Sequence, residues 1–156
     1  MTDTTVQTVV AFDEVRDLIG KNLGHSQWRE VTQQQIDTFA EATDDHQYIH
    51  VDPERAKDGP FGTTIAHGFL TLSLLIPMWG ELFDVTGVST KVNYGLDKVR
   101  FTSPVTVGSR IRLTVTITDV QEVKGSGLHL VADGTIEIEG QDRPAVVATF
   151  LNRFYA

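Results

Sequence analysis

Cysteine is absent from the 156 residues. That excludes a disulfide framework, a thiol nucleophile and a cysteine-ligated zinc. No apolar run approaches the roughly 18 residues of a membrane span, so no membrane association is expected. Met1-Thr2-Asp3-Thr4-Thr5 lacks the basic start and apolar stretch of a signal peptide, which makes the cytoplasm the expected location. Basic residues are in deficit, 13 Lys+Arg against 21 Asp+Glu for a net charge of −8, and they do not cluster. A nucleic-acid surface needs a basic stripe, so no nucleic-acid partner is expected. Recognisable nucleotide and serine-hydrolase motifs are missing too. Gly59-Pro60-Phe61-Gly62 lacks the length and the Lys-Ser/Thr of a phosphate loop. Ser73 sits in an apolar stretch without a Gly-x-Ser-x-Gly elbow.

What is present suits one domain over residues 1–156, with 40% hydrophobic residues to fill a core. Residues 1–7 are small and polar and read as a flexible end. Phe12, Val15, Leu18 and Ile19 recur at helical spacing. Ser26–Val31 suits a short edge strand. Thr32, with Gln35 three residues on, has capping-box spacing for a helix burying Ile36, Phe39, Ala40 and Thr43. Thr43–Gly62 reads as a loop with one helical turn, opened by Asp52-Pro53 and closed by Gly59-Pro60. Residues 67–83 carry Phe69, Leu70, Leu72, Leu74, Leu75, Met78, Trp79 and Leu82 almost all round a helix. Such a helix must be buried on most sides, and Pro77 should kink it or start a new turn. Val92–Phe101, Arg110–Val123, Leu128–Glu139 and Ala145–Phe154 read as strands, the second alternating strictly at period 2. Gly125-Ser126-Gly127 and Gly140-Gln141-Asp142 read as turns, which predicts an antiparallel meander. The fold class is α+β: an antiparallel sheet wrapped around one long central helix.

The chemistry concentrates in Asp44-Asp45-His46-Gln47-Tyr48-Ile49-His50-Val51-Asp52, joined by His67-Gly68 at the start of the central helix. One Asp and one His form a general acid–base pair able to hold a water and move its protons. Asp44, Asp45, His46, His50 and His67 could instead ligate a metal, but no ordered His-x-x-x-His spacing supports one, and none is expected. The bland alternative is a solvated loop whose Asp side chains bond nearby backbone. At Gly68, a helix N-terminus offers free N–H groups and a positive partial charge, suited to a developing oxyanion. Close packing is the competing reason for glycine there, and capping or space-filling the competing role for His67.

Asp45-His46-Gln47-Tyr48-Ile49-His50, then Asp52-Pro53, then Phe61-Gly62-Thr63-Thr64-Ile65-Ala66-His67-Gly68, resembles the MaoC-like dehydratases, including the (R)-specific enoyl-CoA hydratases. Their signature runs Asp-x-Asn-Pro-aliphatic-His, a short helix, and an apolar-His-Gly segment opening the central helix. Asn93–Phe101, followed by Pro104-Val105 and Val107-Gly108, is similar to the strand and turn that come next. The resemblance covers roughly residues 20–155 and implies a hot-dog fold and a homodimer. It implies Asp45 and His50 as the catalytic pair around one water, and the Gly68 N–H as the oxyanion donor. Gln47, His67, Tyr94 and Gly95 are candidates for lining a pocket for an acyl-CoA or acyl-carrier thioester. That thioester is the substrate, and no cofactor is expected. The implied reaction is hydration of a trans-2-enoyl thioester to the (R)-3-hydroxyacyl product, or its reversal. A hot-dog thioesterase and a non-catalytic acyl-CoA-binding subunit are the alternatives. Two departures stand out: Gln47-Tyr48 replaces Asn-Pro, and Asp44 replaces a common Gly. Asp44 is expected to point away from Asp45.

Overall fold

The chain builds a six-stranded sheet, packs a bent helix against one of its faces, and adds a separate two-stranded sheet. The computed structural model describes residues 5–156, so the expectation for the first four residues lies outside it. Thr5 and Gln7 bond the carbonyls of His25 and Gly80. Strand β1 (Thr8–Ala11) leads into a 3-10 helix (Phe12–Leu18) that buries Val15 and Leu18 at the expected spacing. Then come β2 (Asn22–His25) and β3 (Arg29–Glu30), the latter shorter than the expected edge strand. Helix α1 (Gln33–Thr43) starts as expected, with the Thr32 hydroxyl accepting the Gln35 N–H at 3.2 Å. It buries Ile36 and Ala40 and half-buries Phe39, but Thr43 is exposed.

The following segment is more ordered than a loop with one turn. It forms α2 (Tyr48–Val51) and α3 (Pro53–Ala56), with the Asp52 carboxylate capping the Arg55 N–H at 3.1 Å. The central helix is α4 (Gly68–Ser73) and α5 (Leu75–Leu82), broken at Leu74. Pro77 accounts for the break: it has no N–H to offer the Ser73 carbonyl, and its ring crowds that oxygen. Strands β4 (Phe83–Thr86), β5 (Thr90–Phe101), β6 (Arg110–Val123), β7 (Gly127–Ile138) and β8 (Val146–Tyr155) complete the fold.

The sheet order is β2-β6-β7-β8-β5, with β3 also on β6, while β1 pairs separately and parallel with β4. The simple meander is therefore corrected. β6, β7 and β8 follow one another, but β5 lies antiparallel to β8 at the far edge. Alternation identifies a strand's two faces, and it does not identify the partner along its edge. Ile111, Leu113, Val115 and Ile117 of β6 point inward with Leu130 and Ile136 of β7, against Leu75, Met78 and Leu82. Gly134 lets the layers close: a Cβ there would meet Leu113 and Phe150 at 3.2 Å and Leu75 at 3.5 Å. The helix is not buried all round, since Phe69 is 68% and Ile76 39% exposed. Both lie beside β5: Phe69 packs edge-on against Phe101 at 5.7 Å, and Ile76 shares a recess with Gly95 and Leu96.

Candidate active site

Helix α1 ends in a left-handed residue, Asp44, at φ 62°. Asp tolerates this backbone better than most residues, but glycine adopts it without strain. Chain geometry thus explains why the related pattern favours Gly here. The Asp44 side chain is 98% exposed and lies 3.6 Å from the His46 ring. Gln47 caps α2, its carbonyl accepting the His50 N–H at 2.9 Å, and its side chain is exposed. Tyr48 takes the first helical position, where proline is favoured. Its ring is held instead by Arg55 at 4.0 Å, and a Cβ added at Gly59 would meet it at 3.4 Å.

One turn of α2 carries His50 into the interior, where it is 7% exposed. Its Nδ1–H donates to the Ile65 carbonyl at 2.7 Å, which leaves the Nε2 lone pair free. Gln33 fixes this turn from α1, donating to the His50 carbonyl at 2.7 Å and accepting from the buried Thr64 hydroxyl at 2.5 Å. His67, the residue before α4, is 2% exposed. Its Nε2–H donates to the Asp45 carbonyl at 2.9 Å, and its ring stacks on His50 at 3.9 Å between centroids. One side-chain atom from each of Asp45, His50 and His67 lies within 4.8 Å of the other two. Burial pushes the His50 pKa below its ordinary 6.5, countered in part by the Ile65 bond; charge on His67 lowers it too, while Asp45 raises it. A neutral imidazole near pH 7 is a base ready to take a proton.

Gly68 follows directly as the first residue of α4, so its N–H has no intrahelical acceptor. A Cβ at this position would come within 3.0 Å of the Phe101 ring. Close approach of Phe101 therefore favours glycine here, whatever its N–H binds. Two further pocket candidates diverge. Gly95 lines a recess of about 260 Å³ with Leu72, Ile76, Leu96 and Leu151, one turn along the helix from Gly68. Tyr94 is not brought to the cluster. It lies on the outer face of the sheet, with Arg153 3.6 Å from its ring and His129 edge-on at 5.4 Å. Irregular register between Asn93 and Gly95 marks a bulge that re-aims these side chains. Asp45, His50 and His67 are also a donor set that divalent cations accept. Asp44 and His46, the other proposed ligands, stand outside it.

A sheet curled round a bent helix, with an acid–histidine pair beside the helix N-terminus, defines the class as a hot-dog fold enzyme. Residues 14–139 match the MaoC like domain family. The 3-hydroxyacyl-thioester dehydratase Z of Mycobacterium tuberculosis is 47% identical over 148 residues, covering 93% of this chain and 98% of that one. Nodulation protein N of Rhizobium leguminosarum bv. viciae is 48% identical over 140 residues, covering 88% and 87%. Among solved structures, the (R)-hydratase from A. caviae has a TM-score of 0.68 at 23% identity, covering 86% of this chain and 94% of that one, a likeness of fold. The chain belongs to the MaoC-like dehydratase family, and it is a hydratase or dehydratase of that type. Among the described residues, no helix is long and apolar enough to cross a membrane.

Proposed function

We propose that this enzyme adds water to a trans-2-enoyl-CoA to give the (R)-3-hydroxyacyl-CoA, or runs the reverse dehydration. The observation that carries the reading is the convergence of Asp45 and His50 beside the first N–H of α4. A water held between Asp45 and His50 Nε2 loses a proton to the pair as its oxygen bonds to C3. The C2–C3 π electrons move toward the thioester, and its oxygen gains enolate charge. The Gly68 N–H stabilises that charge, a contribution typically of about 2.7–4 kcal/mol for one fixed donor. The pair returns a proton to C2, so the net addition is one water. Gly95 and the recess beside Leu72 take the acyl chain. The relative that bears the dehydratase Z name supports a thioester substrate for this chain too.

A homodimer belongs to the proposal. The β5 edge leaves Val92, Leu96 and Phe101 at 39%, 45% and 46% exposure. A free apolar strand edge calls for a partner, and a second β5 would extend the sheet.

The test follows loss of the conjugated enoyl-thioester absorbance, with analysis of product chirality. Wild type should turn over to the (R) product. Asp45→Asn and His50→Gln should each lose about 10²–10⁴-fold in kcat, and exhaustive chelation should leave wild-type turnover unchanged. Release of free thiol from a saturated acyl-CoA would instead indicate a thioesterase. Tight binding without turnover would indicate a binding subunit.

A further inference from the structure

His67 touches both members of the proposed pair, and its own chain continues into the proposed oxyanion donor. Its Nε2–H holds the Asp45 carbonyl at 2.9 Å. One face of its ring lies on His50, 3.9 Å away and 24° from parallel. Phe39 of α1 packs against the same ring at 4.8 Å and 51°. The His67 carbonyl is anchored in turn, accepting the Thr71 N–H at 3.1 Å and its hydroxyl at 3.4 Å. One buried side chain therefore bridges α1, the Asp45 loop and α2 to the start of α4.

The other ring nitrogen carries the argument further. His67 Nδ1 is buried and has no hydrogen-bond partner. A buried acceptor without a partner destabilises the fold, and a phenylalanine would fill the same slot without one. Histidine at this position makes physical sense for what its N–H does.

We infer that His67 is a positioning residue that holds Asp45 and His50 in register with the Gly68 N–H. The inference rests on the proposed hydratase reading and assigns His67 a role other than contact with the acyl chain. Misplacement of about 1 Å in a reacting geometry can cost 10²-fold in rate. The titratable side chains acting on His50 are Asp45 and His67. From α1, Asp37 reaches only as far as Gln33, 2.8 Å from its amide.

The test compares His67→Phe, which keeps a ring and loses the donor, with His67→Gln, whose amide N–H can reach the Nε2 position. Steady-state hydration of a short trans-2-enoyl-CoA is read with thermal unfolding as a folding control. His67→Phe should lose on the order of 10²-fold in kcat, with KM within about twofold, and His67→Gln should recover most of it. Equal losses in two folded variants, or a rise in KM at unchanged kcat, would overturn the inference. NMR keeps the two readings apart. If wild type hydrates nothing, the proposed function fails. Positioning is then judged by whether His67→Phe, unlike His67→Gln, speeds amide exchange at Asp45–Gln47. No change in amide exchange contradicts it.

Discussion

The sheet β6–β8 and the segment from Asp44 to Gly68 are held in opposite ways. In the sheet, side chains of one kind recur on one face, and many weak contacts share the load. In the segment, a few specific polar bonds carry the load: Gln33 to His50 and Thr64, His50 to Ile65, His67 to Asp45. A sheet residue can be exchanged for another apolar residue of similar volume at modest cost. A polar bond in the segment has no such substitute. The expected pattern is that core changes alter stability with activity following, whereas segment changes alter activity first.

The sharpest break of the comparison is His50→Gln, with its large loss of turnover and little change in melting temperature. Next is Leu113→Ala. This fully buried β6 side chain lies on Gly134 beneath the helix, and its loss should lower stability by about 2–5 kcal/mol in denaturant titration. Its kcat should be near wild type while the protein stays folded. Gln33→Ala should fall between the two. It strands the buried Thr64 hydroxyl, costs about 1–3 kcal/mol, and frees the His50 turn, so kcat falls as well. The smallest effect is a gain: Asp44→Gly should relieve left-handed strain and add about 1 kcal/mol, without loss of activity.

pH separates the regions again. His50 binds a proton less readily folded than unfolded, because its folded pKa lies below 6.5. The unfolded chain therefore takes up the proton first as pH falls. The contribution of His50 to stability is present above about 6.5 and is lost below it, down through the folded value. The acid limb of kcat/KM should likewise lie below 6.5 in wild type. A limb above that value would contradict a buried His50 as the base.

The same contrast decides what was readable from the sequence. Strand β6 was legible to the residue because its alternation is uninterrupted from Arg110 to Ile117. The place of β5 beside β8 was not, since pairing is a long-range choice that local pattern does not carry. The break at Leu74 followed from Pro77 in kind but not in position, because proline acts on the carbonyl four residues earlier. Asp45, His50 and Gly68 stood out through the resemblance to the MaoC-like motif, since residue type alone left a solvated loop and close packing as alternatives. The outward turn of Tyr94 depends on a bulge in β5; Gly95 marks such a site, but the side chain it turns outward is set by the long-range pairing with β8. The positioning contacts of Gln33 and His67 link residues distant in sequence. Only the folded chain brings those partners together.

The most direct measurement is hydration of a short trans-2-enoyl-CoA by wild type, Asp45→Asn and His50→Gln, all confirmed folded. The account predicts (R)-3-hydroxyacyl product from wild type and about 10²–10⁴-fold less from each variant. Undiminished turnover in either variant would contradict the assigned pair, and no turnover by folded wild type across short and long chains would contradict the proposed reaction.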